Sequence, residues 1–354
     1  MNELPSSPNI LLTEQLTSKQ VQEAMAMIEP ARRIALLAHE HPDGDCLGSA
    51  IGFAHILRQL GKTCVPACPD PVPAAFSFLP GQETLQTTLG DERFDLVIAL
   101  DAGELSRYGT LYERHHEFLD AARILNIDHH ISSSGCGQVN IIEPEAASTT
   151  ELLVLFQQQA GLPLPKDAAV CLLTGLITDT GSFQYPSTTP RTMEVGAVLL
   201  EAGAVAETIV KPIFRTRPLA HVRFNAAAIN NIQMSKDGRI MWSYATDELL
   251  AATGATPDMD DNIAGMLRDI EGVQVAAFFK NYGNTQETRV SLRSNTPYDV
   301  AAVCVRLGGG GHARAAGATV HKPLAEAIPL VIAEIEREVR ETDQKQSQSA
   351  ELQA

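Results

Sequence analysis

The first half of the chain alternates short aliphatic runs with helical patterns of hydrophobic residues. Three runs are typical of buried strands, at 34–38, 94–100 and 123–127. Three helical patterns occur in the same half, at 47–60, 149–160 and 167–178. Gly61 and Gly161 follow the first two helices, where glycine commonly ends a helix. This alternation predicts an α/β fold with a doubly wound parallel sheet.

The second half predicts a smaller α/β domain behind a helical connector. Its predicted strands are 240–244, 273–280 and 288–293, and its predicted helices are 260–270, 299–306 and 324–340. A length of 354 residues also favours two domains over one. The predicted segments are an N-terminal domain at 1–213, a connector at 214–237, a C-terminal domain at 238–340 and a disordered, Gln/Ser/Glu-rich tail at 341–354.

The composition of the chain indicates where the protein is located and whether it binds a membrane. No apolar run approaches the roughly 18 residues that span a bilayer, and residues 1–10 lack the pattern of a secretory signal, so a cytoplasmic protein without a membrane partner is expected. The six cysteines are scattered and form no C-x-x-C pair, which favours reduced thiols over disulfides or a thiolate metal site.

The charge of the chain argues against one class of ligand. A net charge of −16 disfavours a protein that coats long duplex nucleic acid, which normally presents a basic surface. Small phosphorylated substrates remain compatible, because metal ions and a few local arginines supply positive charge. The stretch 262–317 reverses the trend with six Lys/Arg against four acids, a balance that a mixed solvated surface would also show.

Four segments place acidic and histidine side chains at the ends of predicted strands or of a helix. They are His39-Glu-His-Pro-Asp-Gly-Asp45, Asp101, the triplet Asp128-His129-His130, and Asp179. Three of them directly follow predicted parallel strands, whose carboxyl ends form the usual ligand-binding edge of such a sheet. Each segment alone is explained as a loop, a cap or a surface histidine, but all four together predict one site.

A cluster of carboxylates and imidazoles requires cations, because the carboxylates otherwise repel one another. Oxygen and imidazole ligands without thiolate favour two divalent metal ions, Mn²⁺ first, with Mg²⁺ or Co²⁺ as alternatives and Zn²⁺ as a competitor. Two metals about 4 Å apart bridge a hydroxide nucleophile and hold both the attacking and the leaving oxygen of a phosphoryl group. The cluster therefore predicts hydrolysis of phosphate esters.

These motifs resemble those of the DHH phosphoesterase family, named after the triplet Asp128-His129-His130. A later motif, Gly308-Gly-Gly-Gly-His312 followed by Ala315-Ala-Gly317, is similar to the signature of the DHH-associated C-terminal domain. The resemblance covers roughly residues 25–340. The compact two-domain form resembles the oligoribonuclease and pAp-phosphatase branch, with the active site in the cleft between the domains.

The resemblance implies a role for each motif residue. One metal would be bound by His39, Asp43 and Asp101, and the second by Asp45, Asp101, His129 and Asp179, so that Asp101 bridges. His130 would face the substrate as the general acid, and Asp128 would orient a histidine. His41 stays off the metal list, since a histidine bonded within its loop explains it equally well.

The glycine-rich motif is interpreted as the substrate end of the site. Consecutive glycines (Gly308, Gly309, Gly310 and Gly311) let the backbone approach an anion, although a flexible turn explains them too. His312 and Arg314 directly follow the glycines, Ser291 and Arg293 lie on the preceding predicted strand, and together they favour phosphate binding.

The expected partners are short oligonucleotides, including pApA, and 3′-phosphoadenosine 5′-phosphate, with a homodimer left open. One alternative is a phosphodiesterase dedicated to cyclic dinucleotides or their linear products. Another is a nucleotide-binding sensor without catalysis, which the complete set of metal-ligand residues disfavours.

Overall fold

The computed structural model describes residue 12 and residues 16–90, 93–259 and 262–353, in two compact units divided between Thr216 and Arg217. The first unit contains five strands: β1 Arg33–Leu37, β2 Thr63–Ala67, β3 Leu96–Leu100, β4 Ile124–Asp128 and β5 Val139–Ile142. Its α-helices are α1 Ser18–Ile28, α2 Gly44–Gln59, α3 Gly109–Ala121, α4 Thr149–Gln159, α5 Lys166–Asp179, α6 Pro190–Glu201 and α7 Ala206–Val210. Short 3₁₀ helices span Ala74–Phe76, Gln82–Thr84 and Leu105–Tyr108, and a π-helix spans Lys211–Arg215.

The five strands form one parallel sheet in the order β2-β1-β3-β4-β5, which confirms the predicted fold class. Helices cover both faces, because successive residues of the central strands point into two separate cores. The strands β2 and β5 were not predicted. β2 contains Pro66, which is tolerated because this strand lies at the sheet edge, and β5 has only four residues.

Helices α2 and α5 pack closely because glycines of α2 face α5. A Cβ on Gly48 would collide with the carbonyl oxygen of Cys171, and a Cβ on Gly44 would collide with the side chain of Thr178. The backbones therefore approach more closely than larger residues would allow. This packing brings the first turn of α2, with Asp45, beside the end of α5, with Asp179.

The second unit is built on a six-stranded mixed sheet. Its strands are β6 Gln233–Met234, β7 Ile240–Thr246, β8 Val275–Asn281, β9 Thr288–Ser294, β10 Gly310–His312 and β11 Ala315–Val320, in the order β10-β11-β9-β8-β7-β6. The helices are α8 Leu219–Asn230, α9 Asp247–Thr253, α10 Ile263–Arg268, α11 Val300–Arg306 and α12 Leu324–Gln353, with a 3₁₀ helix at Pro257–Met259. Only β7 and β8 pair in parallel.

The two faces of this sheet are covered differently. Helices α11 and α12 form a core with residues from β7, β8, β9 and β11 on one face. On the opposite face, helices α8, α9 and α10 form a core with residues of β7 and β8. The part of this face that belongs to β9, β11 and β10 carries polar and small residues instead, and its exposed members include Arg289 and His312.

The structure differs from the predicted connector and tail. The connector helix α8 belongs to the second unit, because Phe224 and Ala228 are buried in its core. The helix α12 continues from Leu324 to Gln353, where a disordered tail was expected from 341. Asp343 explains part of this continuation, since its carboxylate accepts hydrogen bonds from the Arg239 guanidinium at 2.8 and 3.0 Å and from the Tyr298 hydroxyl at 2.9 Å. Residue 354 lies outside the described residues.

Two further features concern the cysteines and the lengths of the helices. All six cysteines are free, and five of them are buried. Among the helices of the described segments, none combines the length and the apolar character needed to cross a membrane.

Candidate metal centre

The predicted ligand residues follow the carboxyl ends of β1, β3 and β4 and the end of α5. His39 and Asp43 lie between β1 and α2, Asp101 follows β3, and His129 follows β4. The strands β1 and β3 are neighbours in the sheet. The chain continues from β1 to β2 on one side and from β3 to β4 on the other side. This is the topological switch point at which parallel sheets bind ligands.

Asp101 lies at the centre of the cluster and directs its two oxygens to different histidines. Its Oδ2 is 3.5 Å from Nε2 of His39, and its Oδ1 is 3.5 Å from Nε2 of His129. The residue has a φ of 59°, which is uncommon for a residue other than glycine and strains the backbone by on the order of 1 kcal/mol. This conformation places a buried carboxylate between two halves of the cluster.

On one side of Asp101, His39 approaches Asp43. Nε2 of His39 is 3.8 Å from Oδ2 of Asp43, while Nδ1 of the same ring lies 2.8 Å from the carbonyl oxygen of Glu40. Asp43 caps helix α2, because its Oδ1 accepts the backbone N–H groups of Asp45 and Cys46 at 3.0 Å each. Both residues therefore use one polar atom to hold the loop and present the other to the site.

On the other side of Asp101, His129 approaches Asp45 and Asp179. Nε2 of His129 is 3.2 Å from Oδ2 of Asp179 and 3.9 Å from Oδ2 of Asp45, and Nδ1 lies 3.3 Å from the carbonyl oxygen of Ala146. Ligand atoms of Asp45, His129 and Asp179 all lie within 4.8 Å of one another. The six residues expected to hold two metals thus meet in two groups that share Asp101.

The triplet also places His130 and Asp128 at this site. Nδ1 of His130 lies 2.7 Å from Oδ1 of Asp128, and the same oxygen accepts the backbone N–H of His130 at 3.2 Å. Burial alone would raise the pKa of Asp128, but its hydrogen bonds with His130 lower it, so the carboxylate is ionised. Asp128 therefore fixes the half-exposed ring of His130 through Nδ1 and leaves Nε2 available.

The electrostatics of the cluster are those expected of carboxylates without a counter-charge. Burial, followed by repulsion from Asp179, raises the pKa of Asp45 to about 7. Burial and repulsion from Asp45 hold the pKa of Asp101 well above its usual range. Burial would lower the pKa of His129, but Asp179 and Asp45 raise it to about 9. The site therefore binds protons in place of positive charge, which is the behaviour of a cation site.

The N-terminus of helix α4 holds two of these carboxylates, a feature that the sequence did not indicate. The backbone N–H groups of Thr149 and Thr150 donate to the two oxygens of Asp45 at 2.6 and 3.0 Å, and the Thr149 hydroxyl donates to Oδ1 of Asp101 at 2.8 Å. Every helix begins with free N–H groups, so only the fold shows that these face Asp45. Ser148 caps this helix, because its hydroxyl accepts the backbone N–H of Glu151 at 3.0 Å.

Two other residues near the motifs have local roles. The backbone N–H of His41 donates to Asp70 at 2.6 Å, and its ring is 3.6 Å from the same carboxylate, which agrees with leaving His41 off the metal list. Cys46 has its sulfur within 4.8 Å of ligand atoms of His39 and Asp43. Burial raises the pKa of the Cys46 thiol well above its usual range, so this thiol is neutral.

In the second unit, the strand register brings the predicted substrate residues to one sheet face. Arg293 pairs with Ala315, which pairs with His312, and in the next row Ser291 pairs with Gly317, which pairs with Gly310. Directly paired residues of antiparallel strands point to the same side. Arg293, Ser291 and His312 therefore lie on one face of the sheet, the face on which α8, α9 and α10 form their core with β7 and β8.

The glycines of the motif serve different purposes. A Cβ on Gly309 or Gly311 would collide with the backbone of β11, so these two allow the strands to approach. A Cβ on Gly310 would meet nothing within 4 Å. Because Gly310 and its partner Gly317 have no side chains, the sheet face is open next to the row that contains Ser291. Gly308 has a φ of 80° directly after α11.

Arg314 differs from its predicted neighbours. Its guanidinium donates to the carbonyl oxygen of Tyr298, a residue of the core on the opposite face of the sheet. Arg314 therefore bonds the backbone of its own unit, whereas Arg293 and His312 lie in one cross-strand row.

Comparison with known proteins agrees with these motifs. Residues 33–176 match the DHH family, N-terminal domain, and residues 243–341 match the DHHA1 domain. The bifunctional oligoribonuclease and PAP phosphatase NrnA of Thermus thermophilus is 30% identical over 304 residues, which are 85% of this chain and 87% of the relative. The cyclic-di-AMP phosphodiesterase PdeA of Listeria monocytogenes is 25% identical over 352 residues, which are 94% of this chain and 51% of the relative.

A solved structure shows the same fold. The exopolyphosphatase-related protein of Bacteroides fragilis superimposes with a TM-score of 0.85 at 24% sequence identity, over 92% of this chain and 98% of that chain. The resemblance inferred from the four acidic motifs and the glycine-rich motif is thereby confirmed, and the chain belongs to the DHH family, with a DHHA1 domain in its second unit.

Proposed function

We propose that this protein is a metal-dependent phosphoesterase that hydrolyses short oligonucleotides and 3′-phosphoadenosine 5′-phosphate. The observation that carries the proposal is Asp101, whose two buried oxygens face His39 on one side and His129 on the other. This is the arrangement that a carboxylate shared by two cations requires. The name of the Thermus thermophilus relative, oligoribonuclease and PAP phosphatase, supports the substrate class.

The donor set fits two divalent cations. His39, Asp43 and Asp101 would hold one, and Asp101 with Asp45, His129 and Asp179 would hold the other, with Mn²⁺ as the preferred ion because the donors are carboxylate and imidazole. The raised pKa values of Asp45 and Asp101 support this fit, since the buried carboxylates have too little positive charge around them. Bound cations supply a nucleophile from water at neutral pH and polarise the phosphate.

The remaining chemistry falls to His130. Its Nδ1 is held by the ionised Asp128, so Nε2 is the atom that can deliver a proton to the leaving oxygen. The ring is 46% exposed, which allows a substrate to reach it, whereas the ligand His129 is only 16% exposed. His130 is therefore proposed as the general acid, and Asp128 as the residue that positions it.

The open sheet face of the second unit is proposed to bind the phosphate end of the substrate. Arg293 and His312 lie in one cross-strand row, and Ser291 lies beside the open position at Gly310. A guanidinium, an imidazole and a hydroxyl together suit a terminal phosphate. Arg314, which contacts the Tyr298 carbonyl, would support this face from behind.

A second candidate function is hydrolysis of cyclic dinucleotides or their linear products. The observation in its favour is the similarity to the cyclic-di-AMP phosphodiesterase PdeA of Listeria monocytogenes, of which this chain spans about half. The metal cluster would serve both reactions, because each cuts a phosphodiester. A sensor without catalysis is disfavoured, since all six ligand residues converge.

The function is tested by a panel of substrates. Protein stripped with EDTA should be inactive, and Mn²⁺ should restore hydrolysis of a 5-mer RNA, pApA and pAp more strongly than of cyclic di-AMP. Initial rates on the four substrates, measured by chromatography of the products, give the comparison. Full activity in excess chelator would contradict the two-metal site, and preferred turnover of cyclic di-AMP would favour the second candidate.

Replacing Asp101 tests two effects of this carboxylate, its contribution to catalysis and its effect on the stability of the protein without metal. We expect Asp101→Asn to lower kcat by more than about a hundredfold, since a carboxylate shared by both cations is lost. The folded pKa of Asp101 is raised, so wild-type protein in chelator should lose stability relative to the variant as the pH rises above 3.8. Thermal unfolding in EDTA at pH 5 and pH 8 measures this difference.

The exposed residue Glu117 of helix α3 provides the control. Glu117→Gln should leave the rate of hydrolysis unchanged. If Asp101→Asn retains more than a small fraction of the wild-type rate, the catalytic site lies elsewhere.

Replacing Thr149 tests how helix α4 positions the ligands. Thr149→Val removes the hydroxyl that bonds Asp101 and keeps the backbone N–H that bonds Asp45, so Mn²⁺ affinity should fall about tenfold with a nearly unchanged KM. Thr149→Ser should restore the affinity. Titration calorimetry with Mn²⁺ provides the measurement, and Thr174→Val is the control because that buried hydroxyl donates to the Val170 carbonyl of its own helix at 2.8 Å. Equal losses in both valine variants would indicate a general packing defect.

The proposed phosphate-binding face predicts a dependence on substrate size. Arg293→Ala and His312→Ala should lower kcat/KM on pAp about tenfold to a hundredfold, because each loses a charged hydrogen bond to phosphate. The small ester bis-p-nitrophenyl phosphate should be affected much less, and bound Mn²⁺ should be unchanged. Arg340→Ala, which removes an exposed cation of helix α12, serves as control. Equal losses on both substrates, or loss of metal, would show that the glycine-rich motif has a structural role instead.

A further inference from the structure

The backbone of Asp101 has a conformation that the surrounding structure must impose. Its φ of 59° lies in the left-handed region, which residues other than glycine occupy rarely and only where neighbouring groups hold them there. The residue directly follows strand β3 and is almost completely buried. Groups beside Asp101 must therefore stabilise this bend at the end of the strand.

The bend turns the Asp101 side chain out of an apolar core. In β3, Val97 and Ala99 point into the core that this strand shares with helix α3, because alternate residues of a strand share a face. An extended residue 101 would follow them into that core, where an ionised carboxylate is unfavourable. In the bent conformation, the carboxylate instead reaches His39 and His129.

The fully buried side chain of Asn126 bonds the backbone on both sides of the bend. Asn126 lies opposite Ala99 in the register of β3 and β4. Its Nδ2 donates to the carbonyl oxygen of Ala99 at 3.1 Å and to that of Ala102 at 2.9 Å, and its Oδ1 accepts the backbone N–H of Cys136 at 3.4 Å. One amide therefore ties the end of β3 to the residue that follows Asp101.

The fully buried Tyr108 contacts the same bend through its hydroxyl. This hydroxyl donates to the carbonyl oxygen of Leu100 at 3.1 Å and lies 3.5 Å from that of Ala102. The backbone N–H of Asp101 itself donates to the carbonyl oxygen of Ile127 at 3.0 Å. The peptide groups before and after Asp101 are thus held from two directions, by the next strand and by the phenol.

We propose that Asn126 and Tyr108 are positioning residues, which hold Asp101 in the left-handed conformation and thereby place its carboxylate between the two proposed metal positions. Buried polar side chains are costly unless they are bonded, and these two use their donors on the carbonyls that flank Asp101. We call the pair the Asp101 clamp. Its effect on metal binding rests on the proposed function, whereas its effect on the backbone does not.

Removing one hydroxyl tests the clamp with little change in packing. Tyr108→Phe keeps the buried ring, and we expect it to weaken Mn²⁺ binding about tenfold in titration calorimetry. It should also lower kcat on bis-p-nitrophenyl phosphate at an unchanged KM, because a metal ligand is displaced while the substrate contacts remain. Tyr112→Phe is the control, since that hydroxyl bonds the exposed Asp120 of the same helix at 3.1 Å.

Removing the amide tests the second half of the clamp. Asn126→Leu nearly conserves the side-chain volume and should weaken Mn²⁺ binding at least as much as Tyr108→Phe does. Asn281→Leu is the control, because it removes another buried amide, which donates to the Glu287 carbonyl at 2.7 Å in the second unit. Both leucine variants should unfold at a lower temperature, but only Asn126→Leu should lose affinity for Mn²⁺.

The backbone conformation provides a measurement that needs no metal. In crystals grown with EDTA, the wild type should keep the left-handed conformation at residue 101, and the double variant Tyr108→Phe/Asn126→Leu should lose it. Tyr108→Phe alone should show a second conformation at this residue, and its crystals decide the question if the double variant does not fold.

The outcomes separate the clamp from the proposed function. Loss of the left-handed conformation in the variants, together with no Mn²⁺ binding by the wild type, would retain the clamp and reject the proposed function. A single left-handed conformation of Asp101 in the variants would overturn the clamp. Mn²⁺ affinity and kcat of Tyr108→Phe equal to those of Tyr112→Phe would also overturn it.

Discussion

The burial of several carboxylates beside one another is the constraint on which the structure of this protein depends. Asp45 and Asp101 are almost fully buried, and Asp43 and Asp179 approach the same histidines. Without cations, burial and then repulsion from Asp179 raise the pKa of Asp45 to about 7, and against the effect of burial Asp179 and Asp45 raise the pKa of His129 to about 9. The apo fold therefore tolerates the cluster only by binding protons, and cations in the same place would convert this cost into binding energy.

The fold provides the support that such a cluster needs. The parallel sheet brings three strand ends together at its switch point, and glycines of α2 let α5 approach until Asp45 and Asp179 lie beside one histidine. Helix α4 then directs its N-terminal N–H groups at Asp45, where the helix dipole favours negative charge. Substitutions in these supporting elements should therefore affect the metal site even though they bind no metal.

The second unit meets a different requirement, which is to expose positive charge without losing its core. Its sheet buries one face under α11 and α12, while on the other face the core of α8, α9 and α10 is formed with residues of β7 and β8. The remaining part carries Arg289, Ser291 and Arg293 at alternate positions of β9. A strongly acidic protein with a net charge of −16 thus keeps a local basic surface of the kind that a phosphorylated substrate needs.

The sequence by itself determined the α/β class and the central strands and indicated the six residues that we propose as metal ligands, because strand periodicity and the motifs after each strand are local properties. It did not reveal β2, interrupted by Pro66, or β5, which is too short to show a pattern. Tertiary structure decided three further features. These are the hydrogen bond from Thr149 to Asp101, the contact of Arg314 with the Tyr298 carbonyl, and the extension of α12 to Gln353. Each depends on contacts between residues distant in the chain, such as Asp343 with Arg239, and no local pattern encodes these contacts.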